Sequence, residues 1–257
     1  MPIYVCIKHV PDTAAQISVI GPREIDESVE FVINPYDEYA IEEALTFREK
    51  SGVSEVVVVT VGNDEAQKSL RRALAMGCDR AILVNTEERF IDCLRVAHAL
   101  HKAILQDGAP LIIFSGKQST DQEGMQTPFR LAALFDLPIS TNVIAFRCDA
   151  QIVTVEHETE GGAREAISMP LPCVVGTSKG LNNPRYPKLP DIMKAKRREI
   201  QVVQLADLEI NTAGAAMELV SLVSSTKKRK SSRLKDMSPA DMANQLVRQL
   251  LHEDKIL

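Results

Sequence analysis

Tryptophan is absent from this chain of 257 residues, and aromatic residues together make up only 4% of it. Proteins that stack nucleic-acid bases on aromatic side chains need more of them, so the composition argues against that class. No apolar run approaches the 18 residues of a transmembrane helix, so none is predicted. Positive charge is not in excess either, because the net charge is −5, which gives no general reason to expect a nucleic-acid partner.

Cysteines are few, and no two of them form a C-x-x-C pair. An odd, scattered set within apolar stretches predicts reduced, buried thiols rather than disulfides. The opening residues are too short for the apolar core of a signal peptide and run directly into strand-like sequence. We therefore expect a soluble, cytoplasmic protein, and we predict no metal site. The cysteines are Cys6, Cys78, Cys93, Cys148 and Cys173.

Apolar runs of strand length alternate with helical patterns through the first half of the chain. The runs cover residues 3–7, 55–61, 81–84 and 111–114, and amphipathic helices are predicted near 34–47, 66–76, 90–104 and 129–135. Because parallel strands need helical crossovers and are buried on both faces, this alternation predicts an α/β fold with a doubly wound, mostly parallel sheet.

The pattern changes after Pro138. Shorter strands are predicted at 139–146, 151–158, 163–169 and 173–177, which form an additional small β region with a hairpin turn at Gly161-Gly162. Residues 14–32 predict another short hairpin, and 201–205 a further strand. We expect residues 1–225 to form the α/β domain, 226–237 to be a basic linker, and 238–257 to be a C-terminal arm helix. Its cap at Ser238–Asp241 and its one-sided apolar face predict docking on this chain or on a partner.

A polar, glycine-containing loop at 116–124 separates the strand 111–114 from the helix that follows it. A helix start at the carboxyl edge of a parallel sheet directs backbone N–H groups and a positive dipole at one place, which suits an anion such as a nucleotide phosphate. The spacing matches neither a Walker A motif nor G-x-G-x-x-G. An ordinary strand-to-helix loop therefore remains the alternative.

Asn34, Pro35, Tyr36 and Asp37 form a strong helix start, with Asn at the N-cap, Pro at the first helical position and Asp closing a capping box. Capping alone would account for Asn34 and Asp37, and a role in a site is the second interpretation.

Residues 182–198 contain three prolines, which exclude an uninterrupted helix before about Asp191. Leu189 and Met193 stand there among several basic residues. An apolar contact surrounded by positive charge is typical of a transient docking surface, since burial supplies affinity and charge supplies rate and orientation. A solvated basic loop is the alternative.

Five segments together resemble the beta subunit of the electron-transfer flavoproteins. They are residues 5–12, 34–44, 74–81, 116–127 and 183–196, and they follow the family's order along most of the chain. The resemblance implies an adenine-nucleotide α-hydrolase-like fold and a heterodimer whose alpha subunit holds a redox-active FAD. It also implies a structural AMP in this chain and an electron carrier without bond-making catalysis of its own. Electrons would come from acyl-CoA dehydrogenases, as in fatty acid oxidation, and pass to a membrane quinone oxidoreductase or another acceptor.

The resemblance also assigns residues to these roles. Thr13 would approach the flavin of the partner, while Gln126 and Thr127 at the helix start would face the phosphate of AMP. The AMP positions are Cys6, Asn34, Pro35, Tyr36, Asp37, Val61, Gly116, Lys117, Gln118, Ser119, Thr120, Asp121, Gln122, Glu123, Gly124, Met125, Gln126 and Thr127. The partner-recognition positions are Arg185, Tyr186, Leu189, Ile192, Met193, Lys194 and Arg197.

Two departures from the family pattern concern the nucleotide. Met125 stands where relatives commonly have Asn, and Asp121 places an acid near the expected phosphate. Electron-bifurcating relatives bind a second FAD in place of AMP, although the Gln-Thr pair and the Asn-Pro-Arg-Tyr-Pro stretch favour AMP here. A stand-alone, universal-stress-like nucleotide-binding protein is a third reading, against which the basic proline-rich segment and the expected docking of the C-terminal helix argue.

Overall fold

A computed structural model describes residues 1–52, 55–210, 217–224, 231 and 233–252. The chain divides into two compact units, Met1–Leu222 and Val223–Leu257. The first unit contains the α/β fold. Half of the predicted linker lies outside the described residues, as do residues 253–257 of the predicted arm helix.

Thirteen strands and six α-helices make up the described structure. The strands are β1 (Ile3–Cys6), β2 (His9–Pro11), β3 (Val19–Gly21), β4 (Glu24–Ile25), β5 (Phe31–Ile33), β6 (Val56–Gly62), β7 (Arg80–Asn85), β8 (Ile112–Gly116), β9 (Ile139–Asp149), β10 (Ile152–Glu158), β11 (Arg164–Pro170), β12 (Cys173–Thr177) and β13 (Gln201–Gln204). The helices are α1 (Pro35–Ser51), α2 (Gln67–Met76), α3 (Cys93–Asp107), α4 (Gln126–Phe135), α5 (Leu189–Ala195) and α6 (Pro239–His252).

One nine-stranded sheet organises the first unit, in the order β11-β10-β9-β12-β8-β1-β6-β7-β13. From β12 to β13 every neighbouring pair is parallel. Alternate side chains of β1 enter different cores: Ile3 and Val5 pack with α1 and α2, and Tyr4 and Cys6 pack with α3 and α4. Helices thus cover both faces, and the predicted doubly wound sheet is confirmed.

The strand order reverses at β1. Along the chain, β1 is followed on one side by β6 and β7, and the chain then returns to place β8 on the other side of β1. Open α/β sheets bind ligands at such a switch point, outside the carboxyl ends of the strands. The fold therefore predicts a ligand site at the carboxyl ends of β1 and β8.

The strands predicted after Pro138 extend the large sheet at one edge. β9 pairs in parallel with β12, and β10 and β11 continue the same sheet as antiparallel strands. The turn between β10 and β11 contains Gly161 and Gly162, both with φ of 75°, which is the left-handed conformation that glycine adopts without strain. The predicted hairpin turn is confirmed, and the additional β region is the antiparallel part of the large sheet.

Two small sheets lie outside the large one. β3 and β4 form the hairpin predicted within residues 14–32. β2 and β5 form a second antiparallel pair, which the sequence pattern did not predict because each strand has only three residues.

A charged network closes the amino edge of the sheet. The Arg80 guanidinium donates to both carboxylate oxygens of Glu55 and of Asp107. The hydroxyl of the fully buried Tyr4 donates to Asp107 Oδ2 at 2.6 Å. Burial and the neighbouring Asp107 raise the pKa of Tyr4, so this phenol stays protonated as a donor. The network stabilises the edge opposite the switch point.

Two helix boundaries differ from the sequence pattern. α3 begins at Cys93 rather than near Phe90, since Asp92 accepts a hydrogen bond from the Leu94 amide at 2.8 Å and caps the helix. α4 begins at Gln126, earlier than its apolar pattern indicated.

The second unit contains α6. Ser238 Oγ accepts from the Asp241 amide at 3.2 Å, which confirms the predicted cap, and no α6 side chain is buried. Among the described residues, no helix is long and apolar enough to cross a membrane.

Candidate functional site

The predicted nucleotide residues converge at the carboxyl ends of three adjacent strands. Cys6 ends β1 and is paired in register with Val59 of β6 and Ser115 of β8. Val61 lies near the end of β6, and Gly116 ends β8. The site expected from sequence therefore lies at the switch point of the sheet.

Asp37 connects the elements that meet there. Its carboxylate is almost fully buried and accepts from the Lys8 amide and the Gly116 amide, at 2.7 Å each. Removal from water is the largest influence on this carboxyl group and raises its pKa to about 7, although the two amide donors act in the opposite direction. A single side chain thus holds the loops after β1 and β8 on the first turn of α1.

Asn34 performs a similar function one turn earlier. Its amide nitrogen donates to the carbonyl oxygen of Gln118 at 2.9 Å, and its amide oxygen accepts from the Thr120 backbone at 3.2 Å. Neither bond belongs to α1, which has no side-chain cap. The predicted capping box is therefore wrong, because both polar side chains of the helix start are engaged by the loop after β8.

Gly116 occupies a position that a larger residue could not. A Cβ atom there would lie 2.4 Å from Asp37 Oδ1 and 2.6 Å from Tyr36 Cβ. The glycine therefore allows β8 to approach the start of α1 closely enough for its amide to reach Asp37.

The loop after β8 is also held from the side of β1. Lys8 Nζ forms an ion pair with Asp121 Oδ2 at 2.6 Å and lies 3.5 Å from Ser119 Oγ. The acid that departs from the simple phosphate-site pattern thus has a cation beside it. Sequence analysis did not include Lys8 among the site residues, although its charge at the end of the first strand was a usable signal.

Lys117 points toward the other side of the site. Its Nζ donates to Asn142 Oδ1 at 3.0 Å and lies 5.3 Å from the centre of the Tyr36 ring. The Tyr36 carbonyl accepts from Thr177 Oγ1 at 2.9 Å, which joins the end of β12 to the same turn.

The second half of the loop is exposed and ends at α4. Glu123 and Met125 have φ of 51° and 53°, a left-handed conformation that is uncommon for residues with a Cβ. No side chain caps α4. Gln126 Oε1 accepts from Arg130 and Cys93, so this oxygen is already engaged on the outer side of the helix.

The residues at this edge of the sheet offer groups that could hold an anionic ligand such as a nucleotide. The loop 116–121 is fixed in place, and the helix that follows it begins without a side-chain cap, so its first amides and dipole are available to an anion. Ser115 Oγ, at the end of β8, is buried and has no hydrogen-bond partner within the described residues. A buried polar atom at this point suits a site that is completed by a ligand.

The predicted recognition segment is attached to α1 and α2. The Arg185 guanidinium pairs with Glu42 and Glu49, and Asn182 Nδ2 donates to Glu43 and to the Tyr39 carbonyl. The hydrogen bonds of Arg185 to Glu42 and Glu49 raise the pKa of this guanidinium, which remains a cation.

α5 is fixed at its carboxyl end. One guanidinium nitrogen of Arg71 donates to the carbonyl oxygens of Ala195, Lys196 and Arg198, which satisfies groups that the helix end leaves free. Ala195 is buried and Ile192 packs against the core beneath. The segment is therefore supported on both sides of its exposed residues.

The seven predicted recognition residues fall into two groups. Arg185 and Ile192 hold the segment on the protein, as described. Tyr186, Leu189 and Met193 are 86%, 72% and 51% exposed, and Lys194 and Arg197 are exposed beside them. Thr13, the predicted flavin neighbour, is exposed in the turn after β2.

Fold and site together define a doubly wound α/β protein. Polar groups converge at the carboxyl ends of the strands at its switch point, and a segment with exposed apolar and basic residues is held on α1 and α2. Residues 24–208 match the model of the electron transfer flavoprotein domain. The chain belongs to the electron transfer flavoprotein beta-subunit family.

Several similar proteins have this family name, and two of them align with this chain over its whole length. The electron transfer flavoprotein subunit beta of Bacillus subtilis is 36% identical over 260 residues, covering all of both chains. The mitochondrial subunit beta of Oryza sativa subsp. japonica is 39% identical over 262 residues, again covering both chains. The Mus musculus subunit beta is 37% identical over 80% of this chain and 82% of its own.

Replacing Gly116 with alanine should destabilise the protein by about 1–3 kcal/mol, because the new Cβ must displace Asp37 or the α1 backbone. Urea denaturation measures the change. Gly124→Ala is the matched control, since no atom lies within 4 Å of a Cβ there and it should cost much less. Equal losses for the two variants would contradict the close approach.

The pH dependence of stability should reveal Asp37. Its pKa rises from 3.8 in the unfolded chain to about 7 in the fold, so the stability gained from its protonated form is lost as pH rises through that range. Relative to Asp37→Asn, the wild type should lose a few kcal/mol of unfolding free energy between about pH 4 and pH 7. A wild type that instead gains stability relative to Asp37→Asn as pH rises would show that the two amide donors outweigh burial.

Proposed function

We propose that this chain is the beta subunit of a heterodimeric electron-transfer flavoprotein, which carries electrons without bond-making catalysis of its own. An alpha subunit would hold the FAD, and that flavin would supply the redox chemistry. Acyl-CoA dehydrogenases or related flavoenzymes would donate electrons, and a membrane quinone oxidoreductase or another acceptor would receive them. Family membership over the full chain is the observation that carries the proposal.

The crevice at the switch point would hold a structural AMP. The residues proposed to form it are the backbone of the loop 116–121, the start of α4, and the ends of β1 and β6. Asn34 and Asp37 would act indirectly, because their side chains are engaged in positioning the loop. Lys8, which is within reach of both Ser119 and Asp121, would add positive charge near the phosphate.

The supported segment of residues 182–198 would recognise the electron donor. Leu189 and Met193 would be buried in the contact, and Lys194 and Arg197 would orient the encounter by long-range attraction. Because Arg185 and Asn182 hold the segment on α1, little conformational freedom would be lost on binding. Thr13, which is exposed in the first loop, would face the flavin of the alpha subunit.

The cofactor content of the heterodimer tests the nucleotide assignment. We expect one FAD and one AMP per heterodimer when the purified complex is denatured and the released compounds are separated by chromatography. Two FAD without AMP would instead show that this chain binds a redox flavin of its own, as electron-bifurcating relatives do.

Leu189→Ala should slow reduction of the heterodimer by an acyl-CoA dehydrogenase roughly 10-fold or more, since the burial of one leucine contributes about 1.5–3 kcal/mol. The bound flavin should be unchanged in amount and absorption spectrum. Stopped-flow measurement of flavin reduction at several donor concentrations gives the effect.

The matched control for that experiment is Leu105→Ala, because Leu105 is 51% exposed on α3. It should leave the rate unaltered. Equal rates for the wild type and Leu189→Ala would exclude a role of Leu189 in donor recognition.

A further inference from the structure

Ser115 lies near the carboxyl end of β8, at the switch point of the sheet. It is the last residue of β8 before Gly116, and its neighbours Ile113 and Phe114 pack in different cores. Because strand side chains alternate, Ser115 shares a side of the sheet with Ile113 and therefore faces the layer of α3 and α4. α4 is the helix that begins after the loop 116–124.

The hydroxyl of Ser115 has no partner inside the described protein. Ser115 is 8% exposed, and its Oγ forms no hydrogen bond with any described residue. Its carbonyl oxygen, in contrast, accepts from Thr177 Oγ1 at 3.1 Å. A buried hydroxyl without a partner is costly, and native proteins usually satisfy such groups.

Two other buried serines, Ser69 and Ser140, do have hydrogen-bond partners. Ser69 Oγ lies 2.8 Å from His9 Nδ1, and Ser140 Oγ lies 3.5 Å from His157 Nδ1. Two further buried atoms lack partners, Asn85 Oδ1 and Asn182 Oδ1, but neither lies at the ends of β1 and β8. Of these three unpartnered atoms, Ser115 Oγ is the one that lies at the switch point of the sheet.

The surroundings of Ser115 suit the uncharged part of a ligand. Cys6 is its register partner on β1, and burial raises the pKa of that thiol, which therefore stays neutral. The ion pair of the site, between Lys8 and Asp121, belongs to the loops above the strand ends, and Asp37 belongs to α1, which packs on the other side of the sheet. A base or a ribose, which offers donors and acceptors without charge, matches this position better than a phosphate.

We propose that the Ser115 hydroxyl is a direct hydrogen-bond partner of the base or ribose of the adenine nucleotide bound at the switch point. This assignment rests on the proposed nucleotide site. The hydroxyl can donate or accept, so it needs no change in protonation to serve either role. Asn34 and Asp37 position the loop above, while Ser115 contacts the ligand from below.

Ser115→Ala in the heterodimer tests the assignment. The complex is stripped of nucleotide and titrated with AMP by calorimetry. We expect AMP affinity to fall roughly 3- to 10-fold, which corresponds to the loss of one hydrogen bond. The thermal stabilisation produced by added AMP should decrease accordingly. Without AMP, the variant should be at least as stable as the wild type, because an unsatisfied polar atom has been removed.

Ser140→Ala is the matched control, since it removes a buried but partnered serine hydroxyl from the same sheet. It should lower stability without altering AMP affinity. Equal AMP affinity in the wild type and Ser115→Ala would overturn the role of Ser115 and leave the proposed nucleotide site intact. A loss of stability of Ser115→Ala in the absence of AMP would have the same meaning. A wild-type complex that neither contains nor binds an adenine nucleotide overturns the proposed nucleotide site as well.

Discussion

The buried carboxylate of Asp37 is the constraint on which the site depends. It accepts amide hydrogens from the ends of two neighbouring strands, at Lys8 and Gly116, while its own backbone forms the first turn of α1. Burial of such a group is unfavourable unless hydrogen bonds compensate it, so its position tolerates little displacement. The exit of the chain from β1 and β8 is set by this one side chain, and Asn34 extends the arrangement to Gln118 and Thr120.

The two edges of the sheet have different tasks. The amino edge is closed by Arg80, Glu55, Asp107 and Tyr4, whose groups satisfy one another and offer nothing to a ligand. The carboxyl edge combines engaged groups with a few free ones, namely the start of α4 and the Ser115 hydroxyl. This division is common in open α/β folds, where stability and binding are placed at opposite ends of the strands.

Much of the fold could be predicted from sequence because apolar runs and amphipathic periods are local signals. The parallel strands, the doubly wound sheet and the turn at Gly161-Gly162 belong to this group. The function of Asn34 and Asp37 could not be predicted in the same way. Their spacing fits a helix cap, and only the folded chain shows that their partners lie in the loop after β8, far along the sequence.

Other misses have related causes. β2 and β5 have three residues each, too few to show a period. The ion pairs of Arg185 with Glu42 and Glu49 on α1 could not be predicted either, because no local pattern pairs these residues. The free hydroxyl of Ser115 is likewise invisible in sequence, since a serine at a strand end becomes informative only when its neighbours are known to leave it unpaired.

α1 contacts two regions that are distant in the sequence, the end of β8 and the segment of residues 182–198. Its first turn holds the end of β8 and the loop that follows. Further along the same helix, Glu42, Glu43 and Glu49 hold the segment of residues 182–198. Free energies of binding obey reciprocity. If a bound nucleotide increased the affinity for the electron donor through this helix, the bound donor would increase the affinity for the nucleotide by the same factor. The affinity for a cofactor without redox chemistry would then depend on whether the partner is bound.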